Sequence, residues 1–467
     1  MMELDEGFEI SHTDSMMHRL FRHVRFDTID NDSSQEVDDD EVTGGALAEV
    51  LSTQKERYND DDDADADDGS INNEKEDEFW DNEGFVNDQS STNYKKRYIR
   101  IGVGLLGVVV VCFVVFGSVT LHRLRTNSSI TYNIYYGYLH SHTGVSDGSG
   151  TPNDAYSQAK NAGLDFFGTT DHDYWPQDMS IKNWNVINKV ADSFNEDGVF
   201  TALVGYEWTS DEADVGHELG RNHGHFTVVG TPGWCNAGHE NCETLDEFVQ
   251  WLDAQPTGLA IFNHPAQYGS DLFEHFNLPK TQRIVGMELW NRNSDYFTRE
   301  GDNGVRYYDE ALQKGWYIGA GGGQDNHDRS WGIKNQSRMA VMAETLSRES
   351  IMEALKERRF YSTLIDGVVL LFKCNGQHMG SVLVDFDNGI RDRECTVDVS
   401  SDHKFTWIEL IQNGDYVITS VENPTLPFTA TMPAVDDDEY IYAVLYQGCD
   451  WKVVTSPIFF KTEKDPW

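Results

Sequence analysis

Basic residues are scarce in this chain of 467 residues. Lys and Arg number 36 against 79 Asp and Glu, and the formal net charge is −43 at pH 7. A field of this sign repels the phosphate backbone of nucleic acids, so we expect no nucleic-acid partner. The same field concentrates divalent cations near the surface.

Cysteine is also rare, with six residues, and no two of them form a Cys-x-x-Cys pair. The sequence therefore predicts no cysteine ligand for a metal. Cys235 and Cys242 flank a loop and could pair, as could Cys374 and Cys395, which leaves Cys449 over. This usage is compatible with an oxidising compartment.

Residues 1–94 lack the apolar side chains that a core requires. They contain 29 Asp and Glu against 6 Lys and Arg. Strongly charged segments with few apolar residues cannot bury enough surface to fold, so the sequence predicts a disordered acidic tail.

An uncharged apolar run occupies residues 101–121 and is long enough to cross a bilayer as a helix. Residues 95–125 are therefore predicted to be a transmembrane helix with basic flanks. Four basic residues precede the run and two follow it, namely Lys95, Lys96, Arg97 and Arg100, then Arg123 and Arg125. This excess places the tail in the cytoplasm and predicts a single-pass type II protein with a lumenal or extracellular C-terminal part.

Two glycosylation sequons would lie on the lumenal or extracellular side in this topology. They are Asn127-Ser128-Ser129 and Asn335-Gln336-Ser337. The sequence therefore predicts a glycoprotein, with Asn127 close to the membrane.

Strand-like and helix-like segments alternate through residues 126–365. The predicted strands are Tyr132–Tyr138, Leu164–Thr169, Phe200–Val204, Phe226–Val229, Leu259–Phe262, Ile284–Leu289 and Trp316–Ala320. The predicted helices are Pro152–Asn161, Trp184–Phe194, Leu245–Ala254, Val305–Gln313 and Ser347–Arg358. This alternation is typical of a parallel α/β domain.

Residues 366–467 contain only strand-like patterns, with Asn413-Gly414 placed as a hairpin turn. They predict a small all-β sandwich. A structural cap on the preceding domain is favoured for it, and sugar or protein binding is the alternative.

Imidazole and carboxylate side chains recur at the ends of the predicted strands. They occur in HSHTGVSDG (140–148), TTDHD (169–173), GYEW (205–208), HGHF (223–226), FNHP (262–265) and the triplet Asp325-Asn326-His327. These groups are the usual ligands of Zn, Mn and Fe. Because alternate residues of a strand point to one face, His140 can converge with His142, and Asp325 with His327.

HSHTGVSDG followed by TTDHD resembles the opening of the PHP (polymerase and histidinol phosphatase) superfamily of metallohydrolases. The stretch from Gly137 to Asp173 is more specifically similar to the carbaryl-hydrolase-like (CehA/McbA) branch. The resemblance implies a distorted (β/α)7 barrel that holds two or three divalent ions, with Zn, Mn or Fe as candidates. The implied metal ligands are His140, His142, Asp147, His172, Glu207, His225, His264, Asp325 and His327.

The residues suggest individual roles within this set. Glu207 can bridge two cations because its carboxylate has two oxygens, and Asp171 either orients a ligand histidine or is itself a ligand. His225 is favoured over His223 because it adjoins the strand-like FTVV, and Glu288 is expected to orient a ligand or the substrate. The predicted catalytic residues are His140, His142, Asp171, His172, Glu207, Asp325 and His327. Three arginines are candidates for binding an anion, namely Arg292, Arg299 and Arg329.

The sequence thus predicts a membrane-anchored metal-dependent hydrolase that uses a metal-bound hydroxide. A phosphodiesterase or phosphomonoesterase is ranked first, and hydrolysis of a carboxyl or carbamate ester or an amide is the alternative. A non-catalytic binding ectodomain is a third hypothesis, which the complete ligand set disfavours. The substrate would be a small molecule or a surface ester, and the oligomeric state stays open.

Overall fold

The computed structural model describes residues 131–462, except 175, 211–222, 240, 267–272, 302–303, 385–391, 415, 436–437 and 449–450. The predicted acidic tail, the transmembrane segment 95–125, the sequon at Asn127 and Cys449 lie outside the described residues. Within the described part of the chain, no helix is long and apolar enough to cross a membrane.

Strands and helices alternate through the first part, and each predicted strand and helix corresponds to an observed one. The strands are β1 Asn133–Tyr138, β2 Phe166–Thr169, β3 Thr201–Ser210, β4 Gly224–Val229, β5 Leu259–Phe262, β6 Ile284–Glu288, β7 Trp290–Asn291, β8 Ser294–Asp295, β9 Gly319–Gly321, β10 Arg338–Ala343 and β11 Phe360–Thr363. The helices are α1 Pro152–Asn161, α2 Ile181–Phe194, α3 Leu245–Asp253, α4 Phe273–Phe276, α5 Tyr307–Gln313 and α6 Arg348–Lys356. Sequence reasoning missed α4, β7, β8, β10 and β11.

Helix α1 shows why the boundaries could be predicted. The Thr151 side chain accepts a hydrogen bond from the Asp154 backbone N–H, and the Asp154 side chain accepts one from the Thr151 backbone N–H. Pro152 then occupies the first helical position, where its missing N–H costs nothing. The helix therefore begins where the sequence predicted.

The strands of the first part other than β7 and β8 belong to one curved 15-stranded sheet, but they are not all parallel; β7 and β8 form a two-stranded sheet of their own. The pairs β1–β2, β2–β3, β5–β6 and β6–β9 are parallel. Strand β4 runs antiparallel to β3 and β5, and β10 runs antiparallel to β1 and β11. The prediction of a parallel sheet is therefore wrong at β4, β10 and β11, because hydrophobic runs do not encode strand direction.

The sheet curls until β9 lies against β11 and β20 (Trp451–Thr455). The backbone N–H of Ala320 in β9 donates to Oγ of Ser456 at 3.1 Å, and that hydroxyl donates to the carbonyl of Phe360. This contact brings the two ends of the strand series together, so the residues that follow β1 and β9 become neighbours.

An aromatic cluster supports strands β4 and β5. The rings of Phe226 and Phe262 lie 5.1 Å apart, Phe248 of α3 lies 4.8 Å from Phe226, and Phe273 lies 4.8 Å from Phe262. All four side chains are buried. Close packing of large rings fixes the strands that carry His225 and lead to His264.

Strands alone follow residue 366 and form a small β-sandwich. They are β12 Val369–Cys374, β13 Gln377–His378, β14 Val382–Val384, β15 Arg393–Ser400, β16 Trp407–Gln412, β17 Tyr416–Glu422, β18 Phe428–Met432, β19 Glu439–Gln447, β20 Trp451–Thr455 and β21 Ile458–Lys461. One layer has the order β13-β12-β15-β18. The other is continuous with the large sheet, because β20 pairs antiparallel with β11.

The disulfides and one hairpin turn follow the sequence closely. Cys374 pairs with Cys395 across β12 and β15, and Cys235 pairs with Cys242, as the spacing suggested. Asn413 and Gly414 both have positive φ in the turn between β16 and β17, which is the backbone that a tight hairpin requires. The predicted hairpin is confirmed.

A buried polar cluster joins helix α5 to the β-sandwich. Asp309 is 0% exposed and accepts a hydrogen bond from the Tyr442 hydroxyl at 2.9 Å. Its other oxygen lies 2.5 Å from Nε of Arg306, and Nη2 of Arg306 donates to the carbonyl of Gly414 at 2.9 Å. The two regions therefore share charged contacts as well as a sheet.

We expect Asp309→Ala to lower the free energy of unfolding by about 3 kcal/mol, because the buried Tyr442 hydroxyl and the partly buried Arg306 would lose their carboxylate partner. Urea unfolding of the detergent-solubilised full chain, followed by tryptophan fluorescence, measures this. Asp192→Ala is the control, since its ion pair with Arg348 is exposed and should contribute less than about 1 kcal/mol. Equal effects of the two substitutions would contradict a shared folding unit.

Candidate metal centre

The ends of successive strands deliver the candidate ligands to one edge of the sheet. His140 and His142 follow β1, His172 follows β2, His264 follows β5, and Asp325 and His327 follow β9. Glu207 lies within β3, and His225 is the second residue of β4. Because β4 is antiparallel, its beginning lies at the same edge as the carboxyl ends of the parallel strands.

Backbone hydrogen bonds hold the segments that carry the candidate ligands in register beyond the ends of the strands. The N–H of His142 donates to the carbonyl of Asn326 at 2.8 Å, and the N–H of Asp325 donates to the carbonyl of His140 at 3.0 Å. A parallel bridge also joins His172 to Glu207. The side chains of these residues are thus fixed by main-chain geometry rather than by loops.

The carboxylate of Glu207 is the centre of the arrangement and is 1% exposed. Its Oε1 faces Nε2 of His140 at 3.2 Å, Nδ1 of His225 at 3.2 Å, Nε2 of His264 at 3.3 Å and Nδ2 of Asn263 at 2.7 Å. Its Oε2 faces Nε2 of His142 at 3.1 Å and Nδ1 of His172 at 3.2 Å. Each oxygen of Glu207 therefore has its own set of imidazole neighbours.

Two aspartates, Asp325 and Asp147, contact the histidines on the other sides of the cluster. Oδ1 of Asp325 lies 3.2 Å from Nε2 of His142 and 3.4 Å from Nε2 of His140. Oδ2 of Asp147 lies 2.8 Å from Nε2 of His327, and Oδ1 lies 3.4 Å from Nδ1 of His142. The side chains of Asp147 and His327 are 16% and 29% exposed, so solvent reaches the cluster from this side.

Three groups of these side chains could each hold a divalent ion. They are His142, Asp147, His172 and His327; His140, His142 and Asp325; and His140, Glu207 and His264. His225 contacts Glu207 but belongs to none of the three groups found among the described residues. Of the two candidates in HGHF, His225 is nevertheless the one whose side chain faces Glu207.

The separations between donor atoms suit metal coordination. Ligand atoms bound at about 2.1 Å lie roughly 3.0–3.4 Å apart at octahedral or tetrahedral angles. Nε2 of His140 and Nε2 of His142 are 3.2 Å apart, and Oδ1 of Asp325 lies 3.4 Å and 3.2 Å from them. The nitrogen and oxygen donors present here therefore fit Zn, Mn or Fe.

Charge interactions within the cluster shift its titrating groups. Burial alone would raise the pKa of Glu207, but the neighbouring imidazoles, His140 first among them, hold it well below its usual range. Burial lowers the pKa of His172 to about 3, which leaves that imidazole neutral. Burial would also raise the pKa of Asp147, but His327 and its neighbours lower it to about 2. Burial would lower the pKa of His142, but Asp325 and Glu207 raise it to about 9. Ionised carboxylates and neutral imidazoles are the forms that bind metals, so a metal ion bound by His142 would displace a proton.

Glu288 orients a candidate ligand, as the sequence predicted. Its Oε1 lies 2.9 Å from Nδ1 of His140, and its Oε2 accepts hydrogen bonds from the His264 backbone and from Nδ2 of Asn291. A Cβ at Gly323 would lie 2.0 Å from Oε1 of Glu288, so only glycine lets this carboxylate reach His140.

Asp171 does not join the cluster. Its Oδ1 accepts hydrogen bonds from the backbone N–H of Thr143 at 2.7 Å and from the Ser146 hydroxyl at 2.9 Å. It therefore shapes the loop that presents Asp147 and has no hydrogen bond or ion pair to a cluster histidine among those found for the described residues. The two proposed roles for Asp171, ligand and partner of a ligand histidine, are not what this geometry shows.

Sequence reasoning missed several polar residues at the centre. Asn263 donates to Glu207, Oγ1 of Thr209 lies 2.6 Å from Nδ1 of His172, and Asn291 donates to Glu288. Asn263 adjoins the recognised His264 and could have been considered for that reason. Thr209 lies two residues after Glu207 and therefore on the same face of β3, and this spacing could have identified it from the sequence.

Of the three arginines considered for anion binding, only Arg292 lies at the cluster in the described structure. Its Nη2 is 3.0 Å from Oδ2 of Asp325 and 2.9 Å from Nδ1 of His327. Arg299 lies over the ring of Tyr296, and Arg329 lies against Gly150.

Comparison with known proteins shows remote similarity. Residues 155–223 match a family described as a protein of unknown function (DUF3604). An uncharacterized protein of Chlamydia muridarum is 23% identical over 74% of this chain, and the match spans 61% of the length of that relative.

Two solved structures are also similar. A two-domain protein of Bacteroides vulgatus that contains a predicted PHP-like metal-dependent phosphoesterase is 14% identical, with 70% of this chain and 95% of that chain covered and a TM-score of 0.39. An amidohydrolase of Chromobacterium violaceum is 15% identical, with 48% and 96% covered and a TM-score of 0.28. Similarity this low does not define a function.

We expect Glu207→Ala to remove at least one metal ion from each chain, because both carboxylate oxygens lie among the candidate ligands. Elemental analysis of the purified full chain measures this, with about two or three ions expected in the unmodified protein. Asp178→Ala removes an exposed carboxylate that pairs with His239 outside the centre and should leave the metal content unchanged. Fewer than about one ion per unmodified chain would contradict a multinuclear centre.

Proposed function

We propose that this protein is a metal-dependent hydrolase of the PHP type, acting as a phosphoesterase. The observation that supports the proposal most is the buried Glu207 carboxylate, which faces five imidazoles and has Asp325 and Asp147 beside it. Divalent cations held by such a set supply Lewis-acid activation of water and stabilise the charge that develops at the attacked centre.

The residues of the chain prepare this chemistry in defined ways. Oε1 of Glu288 lies 2.9 Å from Nδ1 of His140 and fixes the ring so that Nε2 faces Glu207 and Asp325, where a bound cation would take the place of the Nε2 proton. Asn263 donates to Oε1 of Glu207 and restricts the rotation of the carboxylate. These contacts hold the ligand atoms in place before a substrate arrives.

The substrate would approach from the side of Asp147 and His327. Their side chains are partly exposed, whereas His140, His142, Glu207 and Asp325 are buried. Most of the candidate ligands are buried, and the centre is open to solvent on the side of Asp147 and His327. This arrangement suits a reaction in which water and substrate meet at the exposed side. A purely structural metal site is closed on all sides, so this opening favours catalysis.

Two features favour a phosphate ester over a neutral ester. The HSHTGVSDG and TTDHD motifs resemble a superfamily that most often cleaves phosphomonoesters or phosphodiesters. Arg292 also places a guanidinium at the open side of the cluster, where an anionic group would be attracted. Carboxyl or carbamate ester and amide hydrolysis on the same centre is the alternative that substrate comparison distinguishes.

Replacing both His140 and His142 with Ala should reduce hydrolysis of bis(p-nitrophenyl) phosphate by at least about 100-fold, since one metal group would lose two of its three ligands. The rate of p-nitrophenol release by the full chain with added manganese or zinc measures this. His239→Ala, an exposed histidine outside the centre, is the control. Unchanged turnover in the double variant would rule out this active site.

The proposal includes anchoring by residues 101–121, with the catalytic part on the lumenal or extracellular side. The charge excess before the apolar run supports this orientation. In intact microsomes, a C-terminal tag should resist added protease and become sensitive once detergent opens the membrane. Digestion of the tag in intact microsomes would contradict this orientation and place the C-terminal part in the cytoplasm.

A further inference from the structure

A short β-hairpin, Trp290–Asp295, lies at the open side of the metal centre. Strands β7 and β8 pair Trp290 with Asp295 and Asn291 with Ser294, which places Arg292 at the turn. Asn291 points inward to Glu288, whereas the Arg292 side chain is 45% exposed and contacts Asp325 and His327. One hairpin thus carries a residue that holds Glu288, the partner of His140, and a cation that faces solvent.

The backbone of Arg292 is held in an unfavourable conformation. Its φ is +53°, which a bulky residue seldom adopts, and such outliers persist where the surroundings enforce them. Nδ2 of Asn335 donates to the carbonyl of Arg292, and Nε of Arg292 donates to the carbonyl of Asp325 at 3.1 Å. The same Asn335 belongs to the second predicted sequon, so a glycan on its nitrogen would disturb this anchor.

The β-sandwich holds the other end of the hairpin. Nζ of Lys452 in β20 lies 2.6 Å from Oδ2 of Asp295, and the Lys452 side chain is 11% exposed. The following Phe297 lies 6.4 Å from the ring of Tyr442 and 4.9 Å from the guanidinium of Arg306. A shift of the sandwich would therefore move the hairpin and the guanidinium it carries.

We propose that the hairpin Trp290–Asp295 is the anion-recognition arm of the centre: Arg292 binds the phosphoryl oxyanion of the substrate, and Lys452 of the β-sandwich positions it through Asp295. This inference rests on the proposed function, because it assigns the charge of the substrate. It also gives the C-terminal region a role in recognition beyond that of a cap.

Arg292→Met should raise KM for the anionic bis(p-nitrophenyl) phosphate about tenfold, as expected for the loss of a hydrogen bond to a charged group. KM for the neutral p-nitrophenyl acetate should not change. The Kd of inorganic phosphate, measured by calorimetry on the manganese-loaded full chain, should rise by about the same factor as KM for the anionic ester. Arg299→Met is the matched control on the same segment, since Arg299 lies over Tyr296.

Lys452→Met should raise KM for the anionic ester about threefold and leave kcat unchanged, because Lys452 acts through Arg292. In the Arg292→Met background it should have no further effect. Lys452→Arg, which keeps a cation opposite Asp295, should restore the original KM. Lys461→Met removes a comparable ion pair with Asp438 elsewhere on the sandwich and should change neither constant.

Three outcomes would overturn the inference: equal KM increases for both esters in Arg292→Met, an unchanged phosphate Kd in that variant, or full additivity of the Lys452 and Arg292 effects. Arg292→Lys provides a second variant if Arg292→Met loses its metal or fails to fold, and it should show a smaller increase in the phosphate Kd. Failure of the unmodified protein to hydrolyse either ester would count against the proposed function, whereas the phosphate titration would still decide the role of Arg292.

Discussion

The buried carboxylate of Glu207 is the constraint on which the rest of the centre depends. An ionised carboxylate that is almost fully removed from water costs several kcal/mol unless positive charge and hydrogen bonds offset the loss of solvation. Five imidazole nitrogens and one amide lie within 3.3 Å of its two oxygens. Protons or divalent cations must therefore neutralise this group, and the donor spacing suits cations.

This requirement explains several features of the sheet. Imidazoles from β1, β2, β4 and β5 can reach Glu207 only if their strands end or begin at one edge, so β4 runs antiparallel and presents its beginning there. The contact between Ala320 and Ser456 brings β9 round to the same edge, which places Asp325 beside His140. Gly323 then leaves space for the Glu288 carboxylate to contact Nδ1 of His140.

Part of the fold and of the centre could be predicted because the relevant signals lie within short stretches of sequence. The His-x-His spacing after an apolar run, the Thr-Pro start of α1 and the Asn-Gly turn each encode their geometry within a few residues. Strand direction and the addition of β10 and β11 depend on distant partners, so the hydrophobic pattern did not show them. The hairpin around Arg292 was missed for a related reason, since two-residue strands have no periodicity and its anchors, Asn335 and Lys452, are remote in sequence.

The central claim is the proposal that both oxygens of Glu207 would serve as ligands of divalent metal ions, and anomalous X-ray scattering from crystals of the metal-loaded protein tests it most directly. Data collected at the absorption edge of the bound metal should show at least two peaks. Each should lie about 2.0–2.4 Å from one oxygen of Glu207, with His140 and His142 among the ligands. A single peak that contacts only one oxygen, or peaks away from Glu207, would contradict the account.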